Sequence, residues 1–206
     1  MKKHPILALI FLCGITISQS IWAKTSILLL GDSVSASYRM KQNEGWVHLL
    51  NQRLLQKEAD YHITNASIAG ETTGGGLSRL ERLLKNENID HLIIELGGND
   101  GLRGYSPKAI KNNLLQMITL AQDKNIKVSM YKIKITPNYG ARYNKMFEQI
   151  FIDVAKEKSI TLLPFFVEIV ATIPEMMQND GIHPNVKAQP LIADFVEKQL
   201  QGIFEL

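Results

Sequence analysis

This chain of 206 residues has one cysteine, a nearly balanced charge and no long apolar run. Because Cys13 is the single cysteine, it has no partner for a disulfide within the chain, and the fold does not depend on one. The 23 basic and 20 acidic side chains give a net charge of only +3, which argues against a nucleic-acid partner. No apolar run reaches the ~20 residues that a spanning helix needs, which excludes a multi-span membrane protein.

The remaining composition is that of an ordinary globular protein. Hydrophobic residues make up 45% of the chain and charged residues 21%, which excludes wholesale disorder and a collagen-like repeat. The length suits one domain with a substantial core. The motifs H-E-x-x-H, G-x-x-x-x-G-K-[ST] and G-x-S-x-G are absent, so the sequence has no signature of a zinc protease, a P-loop or the usual nucleophile elbow of serine hydrolases.

The N-terminal segment has the layout of a secretory signal peptide. Lys2 and Lys3 give it a positive start, residues 6–15 form an apolar run, and Ala23 offers a small residue for signal peptidase. The apolar run is about half as long as a spanning helix. We therefore expect cleavage after Ala23.

An uncleaved anchor, a buried N-terminal helix and a lipoprotein are the alternatives to a cleaved signal peptide. The lipoprotein is disfavoured because Leu12, which precedes Cys13, is larger than the residue that usually stands before a lipid-modified cysteine. We expect residues 1–23 to be removed and residues 24–206 to form one mature domain in the periplasm.

After this leader, the hydrophobic pattern alternates between strands and helices. Short apolar runs, such as residues 26–30, predict strands that are buried on both faces, and residues 61–66 alternate as a strand does. Apolar residues three and four apart predict helices. The predicted strands are residues 26–30, 61–66, 91–96, 126–135 and 160–163, and the predicted helices are residues 44–57, 77–84, 107–124, 141–158 and 188–204, the last broken near its start by Pro190. Five such units predict one α/β domain with a parallel sheet.

Polar, turn-forming clusters follow the predicted strands. G-D-S at residues 31–33, residues 65–76 and G-G-N-D at residues 97–100 come after the first three strands. In a parallel sheet the ligand crevice lies beyond the carboxyl ends of the strands, so these clusters fall on one edge. A fourth cluster, D-G-I-H-P at residues 180–184, lies near the end of the chain, and only the fold can place it.

Ser33 is a candidate nucleophile because it lies where a strand turns into a predicted helix. A tight turn there exposes the hydroxyl and leaves the backbone N–H groups that follow free to bind an anion. The alternative is that Ser33 caps the helix, which is a common role for serine.

His183 is the candidate base. His48 lies on a predicted helix surface, and His62 and His91 lie near strand starts, at the other edge of the sheet. His183 alone lies in a turn-rich loop, three residues after Asp180, which can accept a hydrogen bond from one ring nitrogen and leave the other facing a hydroxyl. The alternative is an incidental histidine in a surface loop.

Three groups can bind a developing oxyanion. Asn99 follows two glycines at a strand end, and the backbone N–H groups of Gly70 and Ser33 are further donors. Each position is also compatible with an ordinary turn. Together with Ser33, His183 and Asp180 they provide a nucleophile, a base, an orienting carboxylate and an oxyanion hole, which acyl transfer requires.

These residues resemble the SGNH, or GDSL, hydrolase family. The four sequence blocks of the family occur in order, as G-D-S-V-S at residues 31–35, Gly70, G-G-N-D at residues 97–100 and D-G-I-H-P at residues 180–184. The resemblance covers essentially the whole mature chain and extends to the bacterial periplasmic thioesterases of the family that also act as arylesterases and lysophospholipases. One departure is Ser37, where the resemblance implies glycine.

The resemblance implies a three-layer α/β/α, flavodoxin-like fold with a five-stranded parallel sheet. It implies Ser33 as nucleophile, His183 as general base and then acid, Asp180 as the orienting residue, and Ser33, Gly70 and Asn99 in the oxyanion hole. The expected substrates are small-molecule acyl esters and thioesters, namely arylesters, lysophospholipids and acyl-CoA, cleaved through an acyl-enzyme. No metal or organic cofactor is implied, and we expect a monomer with no nucleic acid and no stable membrane insertion.

Two other functions stay open, a carbohydrate acetylesterase of the same family and a non-catalytic lipid carrier. Residues 101–105 and 137–143 are expected to border the crevice, with Leu102, Tyr105 and Tyr139 lining an acyl groove. Such apolar walls fit a fatty acyl chain better than a sugar. A carrier has no need of an imidazole held by a carboxylate.

Overall fold

Five parallel strands form the centre of the fold. A computed structural model describes residues 24–86 and 88–204, and the predicted signal peptide with Cys13 lies outside them. The strands are β1 (Thr25–Gly31), β2 (Tyr61–Asn65), β3 (His91–Glu95), β4 (Lys127–Lys132) and β5 (Thr161–Pro164). They pair in the order β2-β1-β3-β4-β5, and every pair is parallel, which confirms the predicted fold class.

Helices cover the sheet on both faces. They are α1 (Trp46–Gln56), α2 (Thr73–Asn86), α3 (Gly98–Leu102), α4 (Pro107–Gln122), α5 (Ala141–Lys158) and α6 (Gln189–Phe204). Helix α1 packs against α6, while α4 packs against both α2 and α5. The apolar residues of β1 and β3 are buried, as expected of central strands between two helix layers. No helix in residues 24–86 and 88–204 is both long and apolar enough to cross a bilayer.

The structure corrects several predicted boundaries. Helix α2 begins at Thr73, four residues earlier than predicted, because the Thr72 hydroxyl accepts a hydrogen bond from the Gly75 N–H (3.1 Å) and caps the glycine-rich first turn. Helix α6 is not broken at Pro190, since proline in the first turn of a helix removes no hydrogen bond that the helix needs. Strand β4 ends at Lys132, and the short helix α3 was not predicted.

His91 lies buried at the amino edge of the sheet, opposite the polar clusters. Its Nε2 lies 2.9 Å from the Ser129 hydroxyl, and its ring packs edge-on against Phe204 with centroids 5.0 Å apart. Within the described part of the chain its Nδ1 has no hydrogen-bond partner. Burial, with a smaller contribution from the charge of Lys127, lowers the pKa of His91 to about 4. The imidazole of His91 is therefore neutral in the folded protein at neutral pH.

This burial predicts a loss of stability in mild acid. The pKa of His91 is about 4 in the fold against 6.5 for a free histidine, so between these values the unfolded chain binds a proton that the fold excludes. Relative to His91→Gln, which does not titrate, the wild type should lose about 3 kcal/mol of unfolding free energy as pH falls from 6.5 to 4, measured by urea denaturation. His62→Gln, at an exposed position on β2, is the matched control. Parallel pH curves for the wild type and His91→Gln would contradict the prediction.

Candidate active site

Ser33, His183 and Asp180 meet at the carboxyl edge of the sheet. Ser33 follows β1, and the other two lie in the loop that precedes α6. His183 Nε2 lies 2.8 Å from Ser33 Oγ, and His183 Nδ1 lies 2.8 Å from Asp180 Oδ2. The Nδ1–H therefore donates to the carboxylate, and the Ser33 hydroxyl donates to Nε2. The geometry suits transfer of the hydroxyl proton to the ring.

The turn around Asp180 fixes the carboxylate. Asp180 Oδ1 accepts hydrogen bonds from the backbone N–H groups of Ile182 and His183, each at 3.0 Å. Gly181 has a φ of +67°, a conformation that suits glycine and closes the turn. Partial burial raises the pKa of Asp180, but these N–H donors and the His183 ring outweigh it and lower the pKa to about 2. The carboxylate therefore stays ionised beside the ring at neutral pH.

The segment after Ser33 forms consecutive turns at residues 33–39 rather than the predicted helix. Ser37 has a φ of +57°, which explains why glycine is expected there and why a regular helix does not start. The sequence predicted that the N–H groups after Ser33 are free to bind an anion. The Val34 N–H is not free, because it donates to Asp32 Oδ1 (3.1 Å). The same turns carry Tyr38 against the His183 ring, with centroids 4.6 Å apart.

The three predicted oxyanion donors come from the loops after β1, β2 and β3. Among the described residues, the backbone N–H groups of Ser33 and Gly70 have no hydrogen-bond acceptor. Asn99 Nδ2 donates to Asp32 Oδ2 (3.1 Å), which orients the amide and leaves its second N–H available. Gly70 has a φ of +78°, and Arg103 Nη2 donates to its carbonyl (3.2 Å).

A cavity of about 370 Å³ opens beside Ser33, Asn99 and His183. Its wall beyond these three residues is mainly apolar and includes Ile133, Ile135, Phe165, Val167, Met177 and Ile182. An ion pair between Lys134 and Glu168 lies in the lining of the same cavity. The structure describes no cluster of three or more His, Cys, Asp or Glu side chains with metal-binding geometry in residues 24–86 and 88–204.

The prediction of which residues line the groove is only partly correct. Leu102 lines the cavity, whereas Tyr105 and Tyr139 do not belong to its lining. The Tyr139 hydroxyl instead donates to the Leu102 carbonyl (2.7 Å), and the Tyr143 hydroxyl donates to the Tyr105 carbonyl (2.9 Å). These tyrosines therefore hold the loop after α3 in place. Residues that follow β4 and β5 supply much of the wall instead.

Comparison with known proteins identifies the family of this chain. Residues 29–190 match the model of the GDSL-like lipase/acylhydrolase family. The chain belongs to this family. Among its relatives, an arylesterase of Vibrio mimicus is 46% identical over 93% of this chain and 94% of that protein. Thioesterase 1/protease 1/lysophospholipase L1 of Escherichia coli K12 is 45% identical over 88% of this chain and 86% of its own.

One solved structure is similar to this chain in both sequence and fold. The psychrotrophic esterase EstA of a Pseudoalteromonas species, in a crystal structure inhibited by monoethylphosphonate, has a TM-score of 0.87 and 42% identity. The match covers 89% of this chain and all of that one. Such similarity in sequence and in structure confirms the predicted family and its α/β fold.

Sequence reasoning missed a buried pair of carboxyl groups, Glu95 and Asp32, behind the turn that carries Ser33. Glu95 Oε2 accepts hydrogen bonds from the Asp32 N–H (3.2 Å) and the Ser35 hydroxyl (2.9 Å), and Glu95 is only 1% exposed. Burial, and next the charge of Asp32, raise the pKa of Glu95 well above its usual value. Burial likewise raises the pKa of Asp32 to about 6, although the N–H of Val34 opposes the shift. Burial therefore favours the protonated form of Glu95, and the charge of Asp32 favours it further.

One signal in the sequence points to this pair. Glu95 is an acidic residue at the end of an otherwise apolar strand, two residues before Gly97. A buried strand tolerates a carboxyl group there only where hydrogen-bond partners are present. Tyr38 has no comparable signal, because its contact with His183 joins residues that are far apart in the chain.

Because burial favours the protonated form of Glu95, we predict that an amide can replace it. Glu95→Gln keeps an oxygen that accepts both hydrogen bonds, so its unfolding free energy should lie within about 1 kcal/mol of the wild type. Glu95→Ala leaves the Asp32 N–H and the Ser35 hydroxyl unpaired and opens a cavity, and it should cost about 3 kcal/mol. Urea denaturation at pH 7 measures both. Equal damage in the two variants would mean that the turn requires an ionised carboxylate.

Proposed function

We propose that this family member is a serine hydrolase that cleaves acyl esters and thioesters through an acyl-enzyme. The observation that carries the proposal is the hydrogen-bonded series from Asp180 through His183 to Ser33, with both links at 2.8 Å. This series opens onto a cavity whose wall is mainly apolar. A nucleophile, a base and an apolar groove together suit cleavage of a fatty acyl bond.

The reaction begins when Ser33 Oγ attacks the acyl carbonyl and His183 Nε2 takes its proton. Asp180, ionised because its pKa is about 2, stabilises the imidazolium that forms. The N–H groups of Ser33 and Gly70 and the Asn99 amide bind the oxyanion. His183 then protonates the departing alcohol or thiol, and water releases the acyl group from Ser33 by the same steps in reverse.

The cavity favours a hydrophobic acyl chain over the two other functions. Ile133, Phe165 and Val167 offer a sugar no hydrogen-bond partner from their side chains, which argues against a carbohydrate acetylesterase. A lipid carrier gains nothing from a carboxylate that orients an imidazole toward a hydroxyl. The names of the two relatives, an arylesterase and a thioesterase/lysophospholipase, support aryl esters, lysophospholipids and acyl thioesters as the substrate classes.

Hydrolysis of p-nitrophenyl esters from acetate to palmitate tests this function. We expect residues 24–206 to cleave medium-chain esters faster than acetate, since the apolar wall contributes binding energy for each added methylene. Ser33→Ala should lose nearly all turnover, because no nucleophile replaces the hydroxyl, and should keep the circular dichroism spectrum of the wild type. Ser78→Ala, at an exposed position on α2, is the matched control.

Each contrary result points elsewhere. Turnover limited to acetate would favour the carbohydrate acetylesterase. Stoichiometric fatty-acid binding without turnover by folded wild-type protein would favour the lipid carrier. Substantial turnover by Ser33→Ala would remove Ser33 as the nucleophile.

The proposal includes export. We propose that residues 1–23 are a signal peptide, that residues 24–206 act as one periplasmic domain, and that the enzyme works as a monomer, since its candidate catalytic groups all come from one chain. Expression of the full chain in a Gram-negative host should give a periplasmic protein whose N-terminal residue is Lys24, measured by intact mass and Edman sequencing. Protein that keeps Met1, or that stays with the membrane fraction, would contradict cleavage after Ala23.

A further inference from the structure

We propose that Asp100 is a positioning residue that holds the Gly70 donor in place relative to the Asn99 donor, acting through Thr73. The proposal rests on the proposed function, because it assigns a task within the oxyanion hole. It concerns a carboxylate outside the series formed by Asp180, His183 and Ser33.

Asp100 and Thr73 form a buried, two-point contact. The Thr73 hydroxyl donates to Asp100 Oδ1 (2.6 Å), and the Thr73 N–H donates to Asp100 Oδ2 (2.9 Å). Thr73 is fully buried and Asp100 is 1% exposed. Asn113 Nδ2 also donates to the Thr73 hydroxyl (3.0 Å), which fixes the direction of its proton toward Asp100. A carboxylate that receives an N–H from the first residue of α2 also suits the positive end of that helix.

This contact links two loops that carry proposed oxyanion donors. Asp100 directly follows Asn99 on α3, and Thr73 comes three residues after Gly70. The Arg103 guanidinium, also from the α3 region, donates to the Gly70 carbonyl (3.2 Å). The loop after β2 is therefore joined to the α3 region at two points, the Gly70 carbonyl and Thr73.

The same loop is anchored to the Ser33 turn before Gly70. The Ile68 N–H donates to the Gly31 carbonyl (3.1 Å), two residues before Ser33. Asn99 Nδ2 links the Asn99 segment to the Ser33 turn by donating to Asp32 Oδ2 (3.1 Å). The three donor segments are thus linked in pairs, and Asp100 supplies the buried link between the Gly70 segment and the Asn99 segment.

Helix α3 provides a fixed reference for this link. A Cβ atom at Gly101 would lie 2.8 Å from Ile135 Cγ2 and 2.8 Å from Phe147 Cε2, so α3 sits directly against the core. When the hydrogen bonds between Thr73 and Asp100 are lost, the loop that carries Gly70 is the part that can move. The Gly70 N–H then misses the oxyanion, while the Ser33 hydroxyl and the His183 ring keep their geometry.

Asp100→Asn tests the inference, since an amide accepts only one of the two Thr73 hydrogen bonds. We expect kcat for p-nitrophenyl butyrate to fall on the order of 10-fold to 100-fold, with KM changed by less than about threefold. The inhibition constant of butaneboronic acid, which forms a tetrahedral adduct with the serine and occupies the oxyanion hole, should rise by a similar factor. The apparent pKa in the pH profile of kcat/KM should stay where it is, because His183 and Asp180 are untouched.

Two substitutions at Thr73 keep the test valid if Asp100→Asn folds poorly. Thr73→Val removes only the hydroxyl bond and should move kcat and the boronic acid constant together in the same direction. Thr73→Ser keeps both bonds and should restore values close to the wild type. Asp123→Asn, at an exposed position beyond α4, is the matched control for the loss of one carboxylate.

The outcomes separate this inference from the proposed function. A wild type without esterase activity overturns the proposed function itself. An active wild type in which Asp100→Asn and Thr73→Val leave boronic acid affinity unchanged overturns only the role of Asp100. A shift in the pH profile of kcat/KM overturns it as well, since Asp100 would then act through the His183 ring.

Discussion

The hydrogen bonds received by Glu95 are the contact on which the arrangement of the site depends. The parallel register pairs Glu95 at the end of β3 with Gly31 at the end of β1. Its carboxyl group therefore lies beneath the turn that carries Ser33, and it binds the Asp32 N–H before Ser33 and the Ser35 hydroxyl after it. A Cβ atom on Gly31 would lie 2.7 Å from Glu95 Oε2, so glycine is what allows this approach.

The electrostatics of the site follow from which carboxyl groups are buried. Glu95 and Asp32 share a buried space, where burial raises the pKa of both groups and disfavours two charges at once. Asp180 lies in a turn whose N–H groups lower its pKa to about 2. The fold therefore favours the protonated form of the acid beneath the Ser33 turn and the ionised form of the acid beside His183. Separating the pKa values of neighbouring acids is how one site gives the same residue type different tasks.

Features that a local pattern encodes were predictable, and features that depend on strand register were not. Apolar runs and, at residues 61–66, an alternating pattern predicted the parallel strands, and helical spacing predicted Ala141–Lys158 with its observed bounds. Ser33, Asn99 and His183 were found because each lies in a turn-forming cluster that the family motifs share, although their roles stay predictions. The contacts of Glu95 were not predictable, because strand pairing brings together residues that are distant in the chain. The helical turn at residues 98–102 was hidden by its glycines, which disfavour a helix in isolation.

The sheet order separates the chemistry from the choice of substrate. The proposed oxyanion donors follow β2, β1 and β3, which are neighbours in the sheet, whereas Ile133, Phe165 and Val167 of the cavity wall follow β4 and β5. The hydrogen bonds that link the donor loops include none of these wall residues. A substitution in the wall therefore breaks none of these hydrogen bonds, although Ile135 of the wall also packs against α3. Under the proposed function, such a division would let one parallel sheet serve different acyl groups with the same reacting groups.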